Sequence, residues 1–102
     1  MPGQDGRTTE AEFALAICNY LSKSSKGWAG LSDIYRHLTY MFPLTPADKE
    51  PSGSRDNEAM WEQQVRNIIS HRDSEGNFIH DGYLLYERAT LEITDRGRSL
   101  LG

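Results

Sequence analysis

The spacing of apolar residues changes once along this chain, and that change constrains the fold more than any other feature. Up to about residue 72 the apolar side chains recur three or four apart, the signature of a buried helix face; after Gly82 they alternate, as on a half-covered strand. Thr9 followed by Glu12 has capping-box spacing. Phe13, Ile17 and Tyr20 or Leu21, with Ala16 between them, predict a first helix ending near Lys23, where Ser24-Ser25-Lys26-Gly27 breaks it. Trp28-Ala29-Gly30-Leu31 reads as a short extended piece. Ser32 then reads as the N-cap of a second helix, Asp33 to Tyr40, with Ile34, Tyr35, Leu38 and Met41 on its apolar face. Pro43 closes it.

Leu44 to Asp56 is a polar connection containing Pro46, Pro51 and Gly53, with room for one helical turn at Pro46 to Lys49. Asn57 is the expected cap of a third helix, Glu58 to about His71. Trp61, Val65 and Ile68 form its stripe, with Ile69 and Arg72 at the edges. Residues 72–77 are turn-forming, and Phe78 and Ile79 are expected to pack back on the core. Tyr83-Leu84-Leu85-Tyr86 and Leu91-Glu92-Ile93-Thr94 predict two strands joined at a hairpin tip, Glu87-Arg88-Ala89-Thr90. Thr94 or Asp95 opens a last short helix ending at Leu100-Leu101. Both tryptophans, Trp28 and Trp61, read as core.

This order predicts an α+β chain of winged helix-turn-helix type: three helices, a small antiparallel β-hairpin wing and a short C-terminal helix. Residues 1–8 read as a disordered N-terminal tail and residues 9–102 as one domain. The 37% of hydrophobic residues suffice for one modest core. No apolar run approaches the length of a membrane span, and the N-terminus lacks the pattern of a secretory signal, so a cytoplasmic location is expected. Cys18 is the single cysteine and reads as a buried thiol. His37, His71 and His80 lack metal-ligand spacing. There is no nucleophile elbow, no glycine-rich phosphate loop after a strand, and no Asp followed by Glu-x-Lys. Neither an enzymatic activity nor a cofactor or metal is expected.

The second half resembles the N-terminal winged-helix domain of Mrr-type restriction proteins. The resemblance rests on Pro51-Ser52-Gly53, then Asn57 and Trp61, and finally Ile93-Thr94-Asp95-Arg96-Gly97-Arg98. Met41-Phe42-Pro43-Leu44-Thr45 also matches the family's aromatic-ended helix and Leu-Thr segment. The similarity spans about Leu31 to Leu101. The connection from Asp73 to Asp81 is longer than the family's, and the family's nuclease domain is not in this sequence. The resemblance implies a DNA-binding module, the target-recognition part of a restriction or defence system, with a fused nuclease domain as one partner.

The formal net charge of −4 counts against strong non-specific binding to DNA, which rests on neutralising phosphates. What matters for a groove contact is the charge of one face. After Lys49 every basic residue is arginine, the side chain whose planar fork suits phosphates and guanine edges. With Trp61, Val65 and Ile68 turned inward, Gln63, Arg66, Asn67 and Ser70 fall in one outward column. Gln and Asn can pair with adenine, Arg with guanine, and Ser with either base or phosphate. His71 and Arg72 at the helix end, and Arg88 at the wing tip, complete the expected contacts to double-stranded DNA. Each arginine could equally be spent on a surface ion pair. The rival reading is a winged helix that binds a protein partner or dimerises without touching DNA, which the acidic balance favours.

Overall fold

The computed structural model describes residues 6–53 and 55–102. Helix α1 (Glu10–Lys23) begins at the expected capping box: Thr9 Oγ1 accepts the Glu12 N–H at 3.1 Å, and Glu12 Oε1 accepts the Thr9 N–H at 2.9 Å. It buries Phe13, Ala14, Ile17, Cys18 and Leu21 on one side. Strand β1 (Trp28–Gly30) runs directly into helix α2 (Leu31–Met41). Gly30, not Ser32, is the N-cap, and Ser32 is an exposed residue of the first turn. The helix starts early because the Leu31 N–H is already held by the Ala89 carbonyl at 2.8 Å.

At the other end of α2, Met41 is exposed rather than part of the apolar face. The chain turns at Phe42, whose ring takes the inward place against Phe13, with centroids 5.1 Å apart. A 3₁₀ turn at Ala47–Lys49 follows, and then helix α3 (Met60–Ser70). Helix α3 starts later than the sequence suggests. Pro51 and Ala59 pair as an isolated antiparallel bridge, with the Ser52 N–H on the Glu58 carbonyl (2.8 Å) and the Met60 N–H on the Glu50 carbonyl (2.7 Å). That pairing holds the segment before the helix extended. Asn57 turns the chain with φ of 62°, so it does not cap; Ala59 does, and Glu62 Oε1 takes its N–H at 2.8 Å.

Strands β2 (Leu84–Glu87) and β3 (Thr90–Ile93) form the hairpin, and helix α4 (Asp95–Leu101) ends the chain. The sheet is antiparallel in the order β1-β3-β2, with Trp28 opposite Glu92 and Leu85 opposite the other side of Glu92. Thr94 caps α4 by accepting the Gly97 N–H at 2.9 Å, while its hydroxyl donates to the Gly82 carbonyl at 2.6 Å. Gly97 is buried so close to the Tyr83 carbonyl and Ile93 that a Cβ there would overlap both.

Among the described residues, four α-helices and a three-stranded antiparallel sheet thus enclose one core, an α+β arrangement compatible with a small winged-helix-like domain. Helix α1 packs on α3, on α4 and on β3. Trp61 and the fully buried Val65 and Ile68 face inward from α3 as expected, and Phe78 and Ile79 pack on the core. Trp28 does not: it is 44% exposed. In a three-residue strand one alternation decides which side chain goes in, and Ala29 takes the inward position. No helix among the described residues is long and apolar enough to cross a membrane.

Residues 1–5 of the expected N-terminal tail lie outside the described residues, while residues 6–8 are bound to the 45–48 loop. Asp48 is buried and accepts the Thr8 N–H and Thr8 hydroxyl, both at 2.7 Å, and the Thr45 N–H at 3.0 Å. The Thr45 hydroxyl donates to the Gly6 carbonyl at 2.7 Å. Burial pushes the Asp48 carboxyl up, but these donors outweigh it and hold the carboxyl below its usual range.

Candidate nucleic-acid interface

Helix α3 is a two-sided object because its buried residues, Trp61, Val65 and Ile68, recur at a spacing of four and three. The opposite side carries Gln63, Arg66, Asn67 and Ser70, so the structure brings the predicted row together. Ser70 is exposed, and the other three are partly covered.

Arg66 is the best-defined member of the row. Its Nε and Nη2 donate to the two carboxylate oxygens of Glu58 at 2.9 and 3.1 Å. Glu58 is itself held by the Ser52 hydroxyl, which donates to Oε1 at 3.0 Å. The bond from Arg66, reinforced by Ser52, holds the Glu58 carboxyl below its ordinary value, and the same pairing raises that of the guanidinium. The Pro51-Ser52-Gly53 segment therefore has a mechanical role: it folds back along the start of α3 and clamps the carboxylate that clamps the arginine. Glu58 uses the side edge of the guanidinium. The end edge, Nη1 with the second hydrogen of Nη2, makes no hydrogen bond among the described residues.

The remaining predicted cations differ in their partners. His71 caps the C-terminus of α3, and its Nδ1 lies 2.8 Å from Glu10 Oε1. Arg72 is exposed; its Nη1 donates to the Ile69 carbonyl at 2.9 Å, and its guanidinium lies 5.9 Å from the centre of the Tyr86 ring on β2. That contact joins the end of α3 to the hairpin. Arg88 stands exposed at the tip, in a two-residue turn where both Arg88 and Ala89 have left-handed backbone (φ of 51° and 57°). Among the described residues neither Arg72 nor Arg88 is paired with an acid.

Two residues of this region were not visible as site residues in the sequence. Glu58 lies eight positions before its partner and outside the helix, so no helical spacing links them. Asn77, in the long connection, is buried. Its side-chain amide donates to the Ile68 carbonyl of α3 at 2.8 Å and to Glu10 of α1 at 3.3 Å, while its oxygen accepts the Ile79 and His80 N–H groups at 2.8 and 3.2 Å. A polar residue in a turn-forming run carries no sequence signal for such a junction.

Comparison with family models, with curated proteins and with solved structures finds no match to this chain. No group of three or more His, Cys, Asp or Glu among the described residues could hold a metal ion.

Proposed function

We propose that this chain is a DNA-binding module of winged-helix type, without catalysis of its own, that reads duplex DNA with α3 and the hairpin. The proposed setting is target recognition in a restriction or defence system. The observation that carries the reading is the clamped Arg66. Orienting a guanidinium by its side edge leaves the end edge free, and two parallel N–H groups match the O6 and N7 acceptors of guanine. Gln63 and Asn67, one turn apart on the same face, add amides suited to adenine, and Ser70 extends the row. Arg72 and Arg88 supply phosphate contacts at either end. Because Glu58 already balances Arg66, binding on this reading depends on base edges more than on charge, in keeping with the net charge of −4.

Selection of bound duplexes from a randomised pool, followed by affinity measurements at two salt concentrations, tests this. The expected outcome is a guanine-containing consensus and a shallow salt dependence, since few phosphates are neutralised. Arg66→Lys keeps the charge and removes the fork, so it should cost roughly ten- to hundredfold in affinity for the selected sequence and little for random duplex. Glu58→Gln should act in the same direction. The absence of any selected sequence, or equal affinities in wild type and Arg66→Lys, would overturn the reading.

A further inference from the structure

The groove between α1 and α2 is a second feature, one that the DNA reading does not use. Helix α2 turns Tyr35 toward α3, where its ring lies 5.7 Å from that of Trp61. His37, two positions on, stacks instead on Tyr20 of α1, with centroids 4.0 Å and planes 19° apart. Two helical positions are more than half a turn, so the groove and the α3 row lie on different sides of α2. The groove has a volume of about 470 Å³, within the range of small-molecule sites. Ala16, Leu38, Phe42 and the exposed Met41 give it an apolar lining, and the stacked Tyr20 and His37 rings give it a flat aromatic surface.

Four polar side chains border the same space: Asn19, Tyr20, Lys23 and His37. Among the described residues none of these side chains makes a hydrogen bond or an ion pair. All four can donate a proton to a bond, and no acidic side chain lines the groove. Burial lowers the His37 pKa, which keeps that ring uncharged at neutral pH and leaves Lys23 as the single charge. Lys23 follows Asn19 by one turn of α1, so ammonium and amide share an edge. The acids one turn before Ala16 and His37 are engaged elsewhere: Glu12 in the α1 cap, and Asp33 with Arg36 at 3.5 Å. A flat aromatic surface, an apolar wall and donors headed by one ammonium match a planar ligand with one anionic end.

We propose that the α1–α2 groove binds a small aromatic carboxylate, its ring against the Tyr20–His37 pair and its carboxylate bonded by Lys23 and Asn19. Ring stacking and contact with the Met41 thioether hold the apolar end, and the unpaired ammonium selects the charge. The site stands apart from the α3 row, and its occupancy requires no DNA.

The test uses the full chain and trans-cinnamate as the probe, with cinnamyl alcohol as its uncharged counterpart, followed by NMR and by titration calorimetry. The expected result is saturable binding of the acid, with the largest shifts on the Tyr20 and His37 rings and the Met41 methyl group. Lys23→Met should weaken binding of the acid about fivefold and leave that of the alcohol within about twofold. The control Lys49→Met removes an exposed lysine elsewhere and should leave both within about twofold. Ala16→Trp fills the groove and should abolish binding, with the fold verified by its spectrum; should that variant not fold, the two lysine variants decide alone. No saturation below about 1 mM, equal affinities for acid and alcohol, or equal losses in the two lysine variants would overturn the proposal. Unchanged binding in a folded Ala16→Trp would overturn it as well.

Discussion

Asp48 shows how much can depend on a residue with no pattern to announce it. Buried and supplied with three donors from Thr8 and Thr45, it ties the segment ahead of α1 to the loop ahead of α3. Removing it strands those donors, and Asp48→Ala should lower the unfolding free energy by about 3 kcal/mol in denaturant titration. Because the folded carboxyl is held below its unfolded value, the folded state binds fewer protons. Its contribution is therefore present above the unfolded pKa and lost as pH falls through the lower folded one. Wild type should show a steeper loss of stability below about pH 4 than Asp48→Asn. Cys18 sits at the other extreme: it is fully buried, burial alone pushes its thiol up to about 11, and its apolar helical setting announced it.

The elements most legible in the sequence were those with both a period and a cap. Helix α1 has the Thr9–Glu12 box and a clean stripe, and the hairpin has alternation on both arms. Where a tertiary contact competed with a local cap, the cap lost. Ser32 was displaced by the bond from Leu31 to Ala89, and Asn57 by the Pro51–Ala59 bridge. The hairpin also carries a local conflict. Two left-handed residues in succession suit Asn-Gly, yet the chain places Arg88-Ala89 there. Ala89→Gly should therefore raise stability by about 1 kcal/mol in thermal unfolding, with DNA affinity unchanged. Arg88→Gly relieves the same strain but deletes a cation, so it should reduce the salt slope of binding by about one.

At the scale of the whole molecule, the two tryptophans divide the labour. Trp61 fills the core between α3 and α2, packed against Tyr35 at 5.7 Å between ring centroids, whereas Trp28 stands outside it. Trp61→Ala should cost about 3–5 kcal/mol, and Trp28→Ala within about 0.5 kcal/mol, by denaturant unfolding. Composition alone could not separate them, because the sequence shows that an aromatic is present and not which way a three-residue strand turns it. The candidate site was legible in the same partial way. The row on α3 followed from its stripe, while the acid that orients Arg66 came from a loop whose course depends on the assembled fold.

The Asn77 junction bears on the DNA reading in one more respect. Its amide joins α1 to α3, and its oxygen holds the turn at Ile79 and His80 ahead of the hairpin, so under the proposed function α3 and the hairpin would act as a caliper of set opening. Such a tool does not adjust to its workpiece. Under the proposed function the duplex must supply the give, and sequences with soft, easily bent steps between the two jaws would be favoured at positions no side chain touches.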